Sequence, residues 1–359
     1  MRNTINIAIG IIVIVASLAG LYAFEATARE LPRNESGEYP VMVNVESQRK
    51  DIPDPMLMTH LFYSFAEITP TFDNIEIANL PRFEEIVKLK EVNPDLKIVL
   101  VVGGYKREGF SEMASSSRRR KKFAKACREA VVKYNLDGID LDWEFPTTEA
   151  GGHTARPDDD RNYALVMKEL RKQLGKDKIL SFYSNNSGKW INFPLMLPWV
   201  DYVIVSGYNL QFPPRHQCNL YPSKKAGNWC VDKAVKRHIE LGVPPEKILL
   251  GIGFFARTVP MADHKNLNYM EHPFSKYMPG YEEQWDDDAK VPYYADADGN
   301  IVAAFDNERS LRLKCDYVKD MGLAGVSVWN YDADKSGHTL SKTLLEELKD
   351  NPGGRSSKK

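Results

Sequence analysis

The chain has 359 residues, with 48 Lys and Arg against 49 Asp and Glu and a formal net charge of −1. That balance excludes the broad basic surface a nucleic-acid partner requires, and a hydrophobic fraction of 43% excludes a disordered chain. The length suits one large α/β barrel of roughly 250 residues with insertions, or two ordinary domains.

The chain opens "MRNTINIAIGIIVIVASLAGLYAFEATARE", with a basic start at Arg2 and an uncharged run from Asn3 to Phe24. Ala26-Thr27-Ala28 has the small-x-small spacing of a signal-peptidase site, which predicts cleavage after Ala28. The rival is an uncleaved anchor, because the apolar run from Ile7 to Phe24 is close to the roughly 18 residues that can span a bilayer. Residues 1–28 are thus a signal peptide or a signal anchor, and either role predicts that the remainder is exported. Residues 29–38, "RELPRNESGE", are a polar linker, and residues 351–359 a polar tail.

From residue 39 onward, short β-branched runs recur in chain order: "YPVMVNV", "MTHLFYSFAEI", "LKIVLVVGG", "LDGIDLDWEF", "KILSFYS", "VDYVIVSGY", "KILLGIGFFA" and "LAGVSVWNY". Amphipathic stretches separate most of them. "PRFEEIVKLKEV" places Pro at a first helical position, and "RRRKKFAKACREAVVKYN", "NYALVMKELRKQL", "VDKAVKRHIELG" and "NERSLRLKCDYVKDMG" carry apolar residues at helical spacing. Repeated β-then-α units imply a parallel sheet covered by helices. About eight such strands is the count of a (β/α)₈ barrel, with an open doubly wound sheet as the alternative. No strand is followed by Gly-x-Gly-x-x-Gly. The nearest match, "GIGFFA", ends in Ala and opens no helix, so no dinucleotide cofactor is expected. Residues 259–304, between the seventh strand and the last barrel helix, are too long for a simple connection and are expected to form a small insertion walling a cleft.

Cys127 and Cys315 fall on apolar helical stripes and read as buried thiols. Cys218 and Cys230 bracket the loop "CNLYPSKKAGNWC" and could close it by a disulfide in an exported protein, although spacing alone does not decide the geometry.

The fourth run poses the chemical question. In "LDGIDLDWEFP", residues 136–146, Ile139, Leu141 and Trp143 alternate with Asp140, Asp142 and Glu144. Strand side chains alternate between faces, so in a barrel the apolar set faces the helices and the carboxylates climb the interior toward the C-terminal rim. Several unpaired carboxylates there would be strongly destabilised, so a shared proton and a raised pKa are expected. Glu144, nearest the rim, is the candidate general acid. A solvated acidic face would suit an edge strand better than one between helix-bearing units. A hard-cation site is a further rival, but the neighbouring strands show no clear histidine or further carboxylate cluster, so no metal is expected.

"DGIDLDWE" matches Asp-Gly-x-Asp-x-Asp-x-Glu, and the chain resembles family 18 glycoside hydrolases, with "DWEFP" similar to their chitinase branch. The resemblance runs over roughly residues 39–345. It includes "GGY" after the third strand, "GYN" after the sixth, "GVPPEKILLGIGFFAR" at the seventh and "FDNERSLRLKCDYVKDMGLAGVSVWN" into the eighth. It implies substrate-assisted hydrolysis of chitin or another N-acetylglucosamine-containing oligosaccharide. In that scheme Glu144 is the acid, Asp142 orients the acetamido group, and Asp140 shares a proton with Asp142. Tyr208 holds the acetamido oxygen and Trp329 forms the floor under the sugar at subsite −1. Tyr105, with Gly104 in the same motif, and more weakly Phe212 lie at the leaving-group side, and Asn209 lies beside Tyr208. Trp143 is assigned to packing by strand parity, and Trp329 has the alternative of a barrel-core aromatic.

The chain departs from the family at three places. Val101 stands where a serine is common, the first strand "VMVNVES" lacks a tyrosine, and Ser206-Gly207-Tyr208-Asn209 replaces Met-x-Tyr-Asp. Without the usual hydroxyls Asp140 needs other partners, and Asn44 is the candidate. The resemblance also leaves open an endo-β-N-acetylglucosaminidase acting on N-glycans. A chitin-binding lectin on a dead barrel is the third reading, against which the presence of Glu144 argues. A monomer is expected.

Overall fold

The computed structural model describes residues 39–150, 152–259, 270–335 and 337–349. The expected signal peptide or anchor, linker and polar tail fall outside the described residues. Eight parallel strands form the centre: β1 (Val41–Glu46), β2 (His60–Ile68), β3 (Lys97–Gly103), β4 (Gly138–Asp142), β5 (Ile179–Ser184), β6 (Tyr202–Ser206), β7 (Ile248–Gly253) and β8 (Gly325–Trp329). Each pairs with its sequence neighbours, and β1 pairs with both β2 and β8, which closes the (β/α)₈ barrel. A short antiparallel strand, Ile75–Ile77, attaches to β2.

Alternation along the strands sorts the barrel into two apolar layers. Met42, Phe62, Val99, Val101, Tyr202 and Leu249 pack together in the interior. Their strand neighbours, such as Val43, Leu61, Leu100, Val203 and Leu250, join the larger core against the helices. Trp143 belongs to this outer core: it is fully buried, stacks on Phe110 with centroids 5.2 Å apart, and tilts against Tyr163 at 5.1 Å. Burying a side chain of that size contributes about 2–3 kcal/mol. The packing role expected from parity is the one observed.

The helices lie where the apolar periodicity predicts. Ser117–Lys133 buries Phe123, Ala124, Cys127 and Val131, and Ser116 caps its start by accepting from the Arg119 N–H. Glu308–Asp320 opens with a reciprocal cap in which Asn307 Oδ1 accepts from Ser310 N–H and Ser310 Oγ accepts from Asn307 N–H, each at 3.0 Å. The stretch expected to begin at Pro81 is helical as Leu80–Val87 and then continues as a separate short segment, Leu89–Val92. Among the described residues no helix is long and apolar enough to cross a membrane.

The expected insertion is an antiparallel five-stranded sheet, and it recruits residues earlier than residue 259. Strand Phe255–Thr258 leaves the barrel just after β7 and pairs with both Met270–Glu271 and Ile301–Ala304. The latter pairs on to Val291–Ala295 and Glu283–Asp286. Phe274, Tyr294, Val302 and Phe305 form its own small core. All four cysteines are buried free thiols. Cys218 packs among Ala226, Ala289 and Val291 and bonds Asp306, while Cys230 sits at the N-terminus of helix Val231–Glu240; Val231 N–H donates to Asn219 O, which brings the two segments side by side, yet both thiols are free.

Candidate active site

The carboxylate ladder stands on β4, and the strand register explains its geometry. Asp140 lies opposite Val101 of β3 and Ser181 of β5. It is buried, and Ser181 Oγ donates to it at 2.5 Å. The sequence pointed to Asn44 instead. Asn44 is committed elsewhere: its amide donates to Val328 O at 3.0 Å and its Oδ1 accepts from Ser64 Oγ at 2.8 Å. Ser181 supplies the hydroxyl because its register places it level with Asp140. Burial pushes Asp140 up to about 7, with the Ser181 hydrogen bond acting against that rise.

Asp142 and Glu144 share a side-chain hydrogen bond. Burial raises both carboxyls, and the charges of Glu144 and Asp140 raise Asp142 further. Glu144 is pushed up to about 7, chiefly by burial. Two hydrogen-bonded carboxyls in such surroundings retain a proton at neutral pH, and that proton belongs to the pair. The second oxygen of Asp142, Oδ1, is buried without a hydrogen-bond partner. A buried acceptor of this kind costs about 1–3 kcal/mol unless a ligand or water supplies a donor.

The backbone around the pair is fixed from both sides. Gly104 N–H donates to Asp142 O at 2.9 Å. Gly103 and Gly104 have φ of +117° and +107°, and a Cβ would meet Asp142 O at 2.4 Å in the first case and the Phe65 ring at 2.9 Å in the second. Only glycine fits this close approach. Beyond β4, the buried imidazole of His153 places Nε2 2.8 Å from Glu144 O and 3.0 Å from Phe145 N.

Tyr183 of β5 joins the pair to the sixth strand. It shares the inward face with Ser181, bonds Ser206, and interacts electrostatically with Tyr208, Glu144 and Asp142. Burial holds its phenol well above the ordinary tyrosine range, and the charges of the carboxyls add to that. Tyr208 is half-buried, edge-on to Phe255 at 5.7 Å. Ser206 Oγ donates to Tyr208 O at 2.8 Å. Asn209 turns to the insertion sheet, its Oδ1 accepting from Arg257 Nε at 2.8 Å.

Trp329 ends β8, half-buried, with its indole stacked on Phe65. Tyr105 and Phe212 lie at the rim, 58% and 59% exposed, with the Lys106 ammonium over the Tyr105 ring and the Arg257 guanidinium over Phe212. The structure thus brings Asp140, Asp142, Glu144 and, through Tyr183, Tyr208 together. Trp329 and Gly104 meet through Phe65, and Tyr105 and Phe212 stay solvent-facing. Tyr183, His153 and Phe65 were not singled out in the sequence. The alternation in "SFYS" pairs Tyr183 with Ser181 and could have shown the first. Among the described residues no group of His, Cys, Asp and Glu is arranged to hold a metal ion.

This arrangement offers one transferable proton, an unsatisfied buried acceptor beside it, phenols on the neighbouring strands and an indole surface. Residues 40–334 match the family model of glycosyl hydrolases family 18. Chitinase A1 of Niallia circulans is 29% identical over 74% of this chain, which spans 44% of that protein's length. Chitotriosidase-1 of Mus musculus is 27% identical over 82% of this chain and 73% of its own. The solved structure of a family 18 N-acetylglucosaminidase from Paenibacillus barengoltzii superposes with a TM-score of 0.77 at 30% identity, covering 86% of this chain and 100% of that one.

Proposed function

The chain belongs to glycosyl hydrolase family 18, and on that premise we propose that it cleaves β-1,4 bonds of chitin or chitooligosaccharides with retention, using the substrate's own acetamido group. Glu144 gives its proton to the glycosidic oxygen as that bond breaks. The acetamido carbonyl oxygen of the −1 sugar attacks the anomeric carbon, forming a cyclic oxazolinium ion. Asp142 accepts from the acetamido N–H and offsets the developing positive charge. Tyr208 donates to the acetamido oxygen, and Trp329 supports the distorted ring. Water then attacks the anomeric carbon, Glu144 takes its proton, and the ring opens.

The observation that carries this reading is the Asp142–Glu144 hydrogen bond, with Glu144 raised to about 7 and Asp142 Oδ1 buried and unpartnered. It supplies a carboxyl pair that retains a proton to transfer at neutral pH and an acceptor waiting for an N–H. The Paenibacillus neighbour favours a second reading with the same chemistry, N-acetylglucosaminidase action, and N-glycan cores are the substrate of a related alternative. Incubation with chitin oligomers and with a high-mannose glycoprotein, followed by product analysis, separates them. Internal cuts in the oligomers support the chitinase. Terminal N-acetylglucosamine alone supports the second reading, and release of the glycan from the glycoprotein supports the third. The leader at residues 1–28 accords with action outside the cytoplasm.

A further inference from the structure

A cavity of about 280 Å³ opens between the loop that follows β6 and the insertion sheet. One wall carries Arg215, Lys224 and Lys225, and the other is the turn Gly299–Ile301. For a chain with a net charge of −1, three cations with no acid among the lining residues is a local concentration rather than a general basic surface.

Two of the neighbouring acids, Asp286 and Asp296, are already engaged. Asp286 accepts from Ser223 Oγ at 2.7 Å and pairs with His216 at 3.1 Å. Asp296 accepts from the N–H groups of Asp298 and Asn300 and from the Asn300 amide, closing its own turn. Lys225 donates to Gly299 O at 2.8 Å, which ties the two walls together. Arg215 and Lys224 have no ion pair among the described residues.

The loop is held in shape without them. Gln211 donates to Ala226 O at 2.6 Å, Gln217 donates to Phe255 O at 2.8 Å, and Trp229 Nε1 donates to Asn186 Oδ1 at 2.9 Å. The cavity shares the loop after β6 with Phe212, the candidate aromatic on the leaving-group side. Arg215 N–H donates to Phe212 O, Phe212 lies under Arg257, and Arg257 holds Asn209 next to Tyr208.

We propose that this cavity binds an anionic substituent, a carboxylate or phosphate ester, on the glycan that the carboxylate site cleaves, so that acidic N-acetylglucosamine-containing chains are taken in preference to neutral ones. The guanidinium fork of Arg215 matches either oxyanion, and Lys224 adds a second charge. The proposal rests on the glycosidase reading, because it names the substrate class of the same cleft. Both cations are exposed, so the preference is modest and screened by salt.

The test compares hydrolysis of neutral chitotetraose with that of a tetrasaccharide alternating N-acetylglucosamine with its lactyl-ether carboxylate derivative. The intact chain is expected to show a KM about tenfold lower for the acidic substrate at low ionic strength. Arg215→Ala with Lys224→Ala abolishes that advantage and leaves kinetics on chitotetraose unchanged, and raising the salt to about 0.5 M has the same effect. Equal KM values in the intact chain, or a preference that survives the double substitution, overturn the proposal. Calorimetric binding of the acidic tetrasaccharide keeps the two readings distinguishable. If neither substrate is cut but the acidic one binds and the double variant loses it, the glycosidase reading fails and the cavity stands. If inorganic phosphate binds there and the acidic tetrasaccharide binds no tighter than the neutral one, the cavity is a free-anion site and the proposal is wrong.

Discussion

The indole of Trp329 stacks on the ring of Phe65, with centroids 5.8 Å apart and an interplanar angle of 29°. Phe65 in turn fills the space above Gly104, where a Cβ would come within 2.9 Å of its ring. The Trp329 and Phe65 rings and Gly104 are therefore packed together at the ends of β8, β2 and β3. Trp329→Ala is expected to raise KM for N-acetylglucosamine oligomers and lower kcat, and Phe65→Ala to reproduce part of the loss by letting the indole tilt. An aromatic pair contributes about 0.5–1.5 kcal/mol beyond area burial, so the Phe65 variant should lose up to about tenfold in kcat/KM. Unchanged kinetics of Trp329→Ala on chitotetraose would place the indole in the core rather than under the substrate.

Glu144→Gln keeps the size of the side chain and a hydrogen bond to Asp142 but has no proton to transfer. Hydrolysis should fall by about 10²–10⁴-fold, with oligosaccharide binding retained. Steady-state turnover together with calorimetric binding checks this, and activity within a few-fold of the unmodified chain refutes the assigned role.

How much of this was legible in sequence follows from strand periodicity. The alternation of Asp140, Asp142 and Glu144 with Ile139, Leu141 and Trp143 placed both faces of β4 correctly, because a closed barrel leaves each side chain only inside or outside. Phe65 was hidden because β2 shifts register between Ser64 and Ala66, which breaks the period by which its face would be read. The Asp140 partner was missed for a related reason. Ser181 faces Asp140 only through the β4–β5 pairing, a relationship between strands that neither sequence carries alone. His153 lies in an irregular loop, and a histidine that touches the Glu144 backbone has no sequence period at all.

The pH dependence has two signs to separate. Glu144 near 7 must be protonated to act, so kcat/KM should fall by about tenfold per pH unit above 7. Stability moves the same way for a different reason. Asp140 is raised from an ordinary value of 3.8 to about 7 in the fold. The folded chain therefore binds more protons than the unfolded one between those values, and the stability present on the acid side is lost as pH rises through about 7. Asp140→Asn removes the ionisation and keeps an acceptor for Ser181. Its melting temperature relative to the unmodified chain should rise between about pH 4 and pH 7 and level off above that. A difference independent of pH would show that Asp140 does not titrate in this window.

The final prediction separates substrate assistance from a protein nucleophile. The ladder Asp140, Asp142 and Glu144 rises from one strand, with Asp142 and Glu144 hydrogen-bonded to each other. A retaining enzyme with a carboxylate nucleophile holds its two carboxyls about 5–5.5 Å apart, on either side of the scissile bond, and a directly bonded pair leaves no room for a sugar between them. On the proposed mechanism the attacking oxygen comes from the substrate's acetamido group instead. Chitotetraose is expected to be cut, while fully deacetylated chitosan and cellulose oligomers of the same length are not. A thiazoline analogue of the cyclic intermediate should inhibit competitively and bind more tightly than substrate. Asp142→Asn should slow the first chemical step, because the amide no longer offsets the charge on the oxazolinium ion. The decisive measurement is mass spectrometry of chain quenched during turnover. A glycosyl ester on any Asp or Glu, or efficient cleavage of the deacetylated oligomer, would overturn the mechanism, whereas unmodified protein with retained product configuration is the outcome that the proposed mechanism expects.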